Sequence, residues 1–207
     1  MKLIYVGDPL CSWCYGFGPQ LEALLQSRPE LQLAIVLGGL RAYETDPMPA
    51  ARKAEIGSYW SRVHDVTGAS FTMLGNHAAM DRDDFVYDTE PPCRAVVTAR
   101  TLDTTRALPL YHAIQSAFYR EGRDVTSSTV LADIAADVGF ERAAFAAALD
   151  SDAMRAATRQ DFEKAAGWGI RGFPALVIEH DGTLALLASG FTPADELRAR
   201  LDSVPAN

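Results

Sequence analysis

Two cysteines spaced by two residues, Cys11-Ser12-Trp13-Cys14, follow an apolar stretch that ends at Val6 and stand at the start of a predicted helix. A reactive dithiol is the chemistry this placement suggests. The first backbone N–H groups of a helix lack intrahelical acceptors and carry partial positive charge, so a sulfur there is favoured as thiolate. Cys11 is the expected nucleophile. Cys14, three residues on, returns to the same side of the first turn, within reach of a mixed disulfide formed on Cys11, and is the expected resolving thiol.

A second signal lies far along the chain, where Gly167-Trp168-Gly169-Ile170-Arg171-Gly172-Phe173-Pro174 leads into an apolar strand. Proline suits a strand start because it has no ladder N–H to donate, and an X-Pro bond is where a cis peptide costs least. The expectation is a cis Phe173-Pro174 bond facing Cys11, with the Phe173 backbone offered to an extended substrate and a metal excluded from the sulfurs. An ordinary turn before a strand is the simpler account of the same residues.

The elements that must position these residues follow from hydrophobic period. Residues 2–6 and 31–37 read as strands, and 14–27 as a helix with Leu21, Leu24 and Leu25 on one face. This is a βαβ unit, whose catalytic groups belong at the carboxyl end of the first strand. Pro19 is expected to kink the helix, and Gly38-Gly39 and residues 45–49 read as loop. From about residue 50 to 166 helical character dominates, over 51–66, from a start near Thr89, and over 108–120, 127–138 and 153–166. A hairpin over 175–188 and a helix over 193–201 close the chain. The predicted class is α/β, with a discontinuous domain, 1–48 and 167–207, interrupted by an α-helical insertion over 49–166.

The 207 residues are 48% hydrophobic, enough for a sizeable core, and carry a formal net charge of -8 with no cluster of Lys or Arg. That balance disfavours nucleic acid and anionic membranes as partners. Three cysteines do not make a disulfide-stapled secreted scaffold. The first apolar run meets Asp8 too early for a signal peptide and no long uncharged run follows, so a soluble cytoplasmic protein, monomer or homodimer, is expected. Zinc is not expected: no second cysteine pair exists, and His64, His77, His112 and His180 are scattered.

The run from Asp8 to Pro19, the Gly-x-x-Gly-x-Pro run from Gly169 to Pro174, and the order strand, dithiol helix, strand, helical insertion, hairpin, helix together resemble the DsbA family, in its cytoplasmic FrnE-like branch. The resemblance spans essentially the whole chain. It implies a thioredoxin-like fold with a large α-helical insertion and thiol-disulfide oxidoreductase or isomerase activity on protein or small-molecule disulfides. It further implies Cys11 as attacking thiol, Cys14 as resolving thiol and Pro174 as the cis-proline. No cofactor is implied; glutathione is a candidate redox partner. Ser12 and Trp13 depart from members that place a histidine before the second cysteine, which removes one source of oxidising power. Reduction or isomerisation is therefore the expected direction in a reducing compartment.

Trp13, Phe17 and Phe173 are candidate substrate contacts. Residues 88–94 resemble the start of an insertion helix that packs near the active site, and Cys93 falls where that pattern has histidine. It is either an accessory thiol able to exchange with the dithiol or a small buried hydrophobe. Two other readings stay open. The related kappa-class glutathione transferases and 2-hydroxychromene-2-carboxylate isomerases share the inserted-helix architecture, but commonly have serine in the position of Cys11. A peptide-binding, chaperone-like module could use the same aromatic groove.

Overall fold

A computed structural model describes residues 1–204; the last three residues of the expected closing segment, 205–207, lie outside the described residues. The sheet has four strands in the order β2-β1-β3-β4. Central β1 (Lys2–Gly7) is buried along all but its first residue and pairs parallel with β2 (Gln32–Leu37) and antiparallel with β3 (Ala175–His180). β4 (Thr183–Ser189) returns antiparallel to β3 through Asp181 and Gly182, with φ of 48° and 73°. Positive φ at both central residues is what a two-residue hairpin loop demands, and Asp-Gly accepts it.

Helix α1 (Ser12–Ser27) joins β1 to β2 and starts two residues earlier than expected, which makes Cys11 its N-cap. It runs on through Pro19 as one continuous helix. Between β2 and β3 come α2 (Ala50–Thr67), α3 (Glu90–Leu102), a 3-10 turn (Thr104–Arg106), α4 (Ala107–Tyr119), α5 (Ser128–Asp137), α6 (Arg142–Leu149) and α7 (Asp152–Gly167), and α8 (Ala194–Asp202) follows the hairpin. The eight-residue α6 was not among the individual helices expected from sequence. Its cap is Glu141, which accepts from the N–H groups of Ala143 at 2.9 Å and Ala144 at 2.7 Å, a role usually signalled by Ser, Thr, Asp or Asn. Among the described residues no helix is long and apolar enough to cross a membrane.

Alternation along β1 divides the core between the two faces of the sheet. Leu3 and Tyr5 join Leu21 and Leu24 of α1 and Val96, Tyr111 and Phe118 of the helical segment in one large cluster. Ile4 and Val6 join Val36, Ala165, Ala175 and Val177 in a smaller one on the opposite face. The carboxyl end of β2 is held by Asp161 of α7, which is 4% exposed. Asp161 Oδ2 accepts from the Leu37 N–H at 3.0 Å and from Arg100 Nη1 at 2.8 Å, and Oδ1 accepts from Arg100 Nη2 at 3.1 Å.

Removing this carboxylate strands a strand N–H and a guanidinium in a largely buried place. Asp161→Ala is expected to lower the unfolding free energy by about 2–4 kcal/mol in urea titration. A loss below about 1 kcal/mol, the worth of an ordinary surface ion pair, would show that the clasp is dispensable.

Candidate active site

Strand register brings the two sequence signals together. Because Val6 of β1 lies opposite Ala175 of β3, the residues just before β3 arrive at the carboxyl end of β1, where the chain turns into α1. In that turn the Cys11 N–H reaches the Asp8 carbonyl at 3.0 Å, and the Cys11 carbonyl accepts from Tyr15 N as the helix begins, also at 3.0 Å. The Phe173-Pro174 peptide is cis. The Cys11 thiol donates to the Phe173 carbonyl at 3.5 Å, across a separation of 162 residues.

Both cysteines are free thiols. Cys11 keeps 6% of its surface exposed and Cys14 none, so an external disulfide meets Cys11 first. The hydrogen bond to the Cys14 sulfur, then burial, then the charge of Cys14 push the Cys11 thiol up. Only the Cys14 N–H at the start of α1 pulls appreciably the other way, and the Asp8 carboxylate adds repulsion. The expectation that the helix start holds Cys11 as thiolate thus needs correcting: the helix contribution is present but outweighed, because the sulfur is buried beside a second sulfur.

Asp8 organises the site from below. It is fully buried; Oδ1 accepts from Leu10 N at 2.8 Å, and Oδ2 accepts from Leu40 N at 2.7 Å and from the Cys93 thiol at 3.4 Å. One carboxyl therefore ties together the turn into α1, the loop after β2 and the first turn of α3. Burial pushes the Asp8 carboxyl up, with the Leu40 and Leu10 N–H groups opposing. Cys93 is buried, its thiol pushed well up by burial and by Asp8, and it does not line the groove beside Cys11.

That groove, of about 490 Å³, runs between α2 and the Phe173 loop and is lined by Cys11, Trp13, Leu40, Tyr59 and Phe173, with Arg41 and Arg52 also present. Trp13 is half-buried, 6.4 Å from the Phe191 ring. Phe17 is not brought to the groove: at 1% exposure it packs against Tyr5 and Phe191 in the core, since its place on α1 faces the sheet. The Phe173 ring lies against the loop after β2, so closely that a Cβ on Gly38 would fall 1.9 Å from its Cζ. Sequence reasoning missed Asp8, Gly38, Arg41 and Arg52 as site residues. The available signal was an acidic residue and a Gly-Gly pair immediately after the first two strands. Among the described residues, no three His, Cys, Asp or Glu side chains gather in a way that could hold a metal ion.

Two outcomes test this geometry. Gly38→Ala must displace the Phe173 ring and is expected to slow disulfide exchange roughly tenfold or more with all thiols still titratable, since small misplacements of a reacting group are costly; an unchanged rate would mean the ring position is irrelevant. Alkylation of Cys11 by iodoacetamide, which requires the thiolate, should keep rising beyond the ordinary cysteine value of 9.0. The profile should move to lower pH in Cys14→Ser. A plateau at neutral pH in the unsubstituted protein would contradict the assigned direction.

The DSBA-like thioredoxin domain model matches residues 2–202. No curated protein matches the chain. Among solved structures, a candidate protein disulfide isomerase from Nitrosomonas europaea shares 37% identity over 98% of this chain and 96% of its own, with a TM-score of 0.90. The cytosolic disulfide reductase DsbM from Pseudomonas aeruginosa shares 30% identity over 98% of both chains, with a TM-score of 0.82, and a structure of DsbM with GSH shares 29% at 0.80. A 2-hydroxychromene-2-carboxylate isomerase, 15% identical over 98% of this chain and 93% of its own with a TM-score of 0.66, shares the fold. With its dithiol at the start of α1, its cis-proline loop and its helical segment between β2 and β3, the chain belongs to the DSBA-like thioredoxin domain family, whose members are thiol-disulfide oxidoreductases and isomerases.

Proposed function

We propose that this protein reduces or rearranges disulfides by dithiol exchange, with Cys11 as nucleophile, Cys14 as resolving thiol and glutathione as redox partner. The single observation that carries this reading is the asymmetry of the pair. Cys11 opens onto a groove and lies 3.5 Å from the carbonyl before a cis-proline, while Cys14 is sealed behind it.

In the first step the Cys11 thiolate attacks one sulfur of the substrate disulfide, the other sulfur leaves as thiolate, and that thiolate takes up a proton. Cys14 then attacks Cys11 Sγ, releasing the second substrate thiol and leaving a Cys11-Cys14 disulfide. Two glutathione molecules run the same steps in reverse and depart as glutathione disulfide. Arg41 and Arg52 beside the groove suit the two carboxylates of that tripeptide, and the GSH in the DsbM structure supports the same partner. Trp13 and the Phe173 backbone form the apolar and polar edges against which a substrate chain lies.

The direction follows from what stabilises the reduced form. A strongly oxidising dithiol owes its potential to a stabilised thiolate. Here the neighbouring Cys14 sulfur and burial push the Cys11 thiol up. Reduction or isomerisation is accordingly favoured over net oxidation, as a reducing cytoplasm would require.

Equilibration against a glutathione series tests the whole reading. The expected result is one reversible two-electron transition, lost in Cys11→Ser and retained in Cys93→Ser, with a midpoint well below the value of about -120 mV typical of a strong oxidant. A midpoint near that value would reverse the direction. Persistent Cys11-glutathione without closure would favour a glutathione-dependent transferase or isomerase, and function retained without Cys11 would favour a binding module.

A further inference from the structure

The turn that delivers Cys11 is gripped from the helical segment. Residues 8–11 form a four-residue turn, closed by the Cys11 N–H on the Asp8 carbonyl at 3.0 Å, with Pro9 in the second position, where its fixed φ suits a turn. Leu10 is 1% exposed, and a side chain engages each of its backbone groups. Its N–H donates to Asp8 Oδ1 at 2.8 Å, and its carbonyl accepts from the Tyr87 hydroxyl at 2.7 Å. That carbonyl shares a planar peptide unit with the Cys11 nitrogen, so the bond from Tyr87 fixes the plane from which the reactive side chain departs. Tyr87 is itself buried, with the Phe85 and Phe118 rings set edge to face against it at 6.0 and 5.7 Å. Burial pushes its phenol up, so the hydroxyl stays a donor.

The same short segment also holds the groove's cation. The Arg41 guanidinium carbon lies 5.9 Å from the centre of the Tyr87 ring, within cation–π range. Two residues on, Thr89 clasps the Arg41 backbone in both directions: the Arg41 N–H donates to Thr89 Oγ1 at 3.1 Å, and the Thr89 N–H donates to the Arg41 carbonyl at 3.3 Å. Between them, Asp88 Oδ1 accepts from the Tyr43 N–H at 2.8 Å. Leu10, Cys11, Arg41 and Tyr87 all line the one groove.

We propose that residues 87–89 set the spacing between the attacking sulfur and Arg41, with Tyr87 a positioning residue for Cys11 and Thr89 a positioning residue for the selection of disulfides that carry a carboxylate, an inference that rests on the dithiol-exchange reading above. A disulfide held in the groove is attacked in line only if the sulfur and the group that anchors the substrate keep a fixed separation. Tyr87 serves both ends of that separation, through its hydroxyl on one side and its ring on the other. Thr89 fixes the Arg41 end alone. The helical segment between β2 and β3 thereby contributes to the approach of substrate to a thiol that it does not carry.

Two aryl disulfides test the assignment in a stopped-flow instrument: dithiobis(nitrobenzoate), which bears two carboxylates, and uncharged dithiodipyridine. With either, Cys11 gives its proton to solvent, its thiolate attacks one probe sulfur, the probe's S–S bond breaks, one coloured thiolate departs and the other half stays on Cys11. Tyr87→Phe keeps the ring and removes only the hydroxyl. It is expected to slow this first release roughly tenfold more than it slows alkylation of Cys11 by iodoacetamide, because a small free reagent can adjust its approach and a groove-bound disulfide cannot. Thr89→Val is expected to lower the preference for the carboxylate probe over the uncharged one about threefold, and Thr89→Ser, which keeps the accepting oxygen, to restore it. If exchange and alkylation fall by the same factor in Tyr87→Phe, or neither falls, Tyr87 does not position the sulfur. If Thr89→Val slows both probes alike, or Thr89→Ser behaves as the valine variant does, Thr89 does not act through Arg41. A first release that persists undiminished in Cys11→Ser would instead reject Cys11 as nucleophile, which keeps failure of the dithiol reading distinguishable from failure of the spacing role.

Discussion

The site hangs on one buried carboxyl. Asp8 accepts hydrogen bonds from the turn into α1, from the loop after β2 and from the thiol of α3, and it does so at the point where β1 ends. A carboxyl without solvent is tolerated only when such donors surround it. Their presence fixes three segments relative to one another. The start of α1, and with it Cys11, is thereby placed against the Phe173 loop rather than left to the freedom of a surface turn.

The two faces of the sheet share the work unequally. On one face, α7 packs over a small apolar cluster, and Asp161 clasps the end of β2. On the other, α1 is sandwiched between the sheet and the helical segment, and the second thiol is fully buried. Enclosure makes the dithiol asymmetric. In the proposed exchange the outer sulfur meets substrate and the inner one meets only a mixed disulfide already formed on its partner, so an outside thiol competes with an intramolecular attack. Burial also means that the charge on Cys11 is governed more by the neighbouring sulfur and the Cys14 N–H than by solvent.

Much of the architecture was legible along the chain. The apolar strands, the Cys-x-x-Cys at a helix start, the Asp-Gly hairpin and the Pro-led strand are local patterns whose physical causes act within a few residues. α6 escaped because its cap is a glutamate and its length is short. Phe17 was misassigned to the groove because aromatic content near a cysteine says nothing about which way a helix faces; only packing against Tyr5 and Phe191 decides that.

The sequence by itself determined the kinds of element, the Cys-x-x-Cys at a helix start and the order in which the parts occur, since periodicity, caps and turns are set by neighbouring residues. The tertiary structure alone decided which sulfur is reachable, that the helix-start stabilisation of Cys11 is outweighed, and that Tyr111, 106 residues from Tyr5, reaches its hydroxyl. Those outcomes depend on burial and on contacts between distant segments, and charge in a protein interior is governed by what surrounds it in space rather than by what precedes it in the chain.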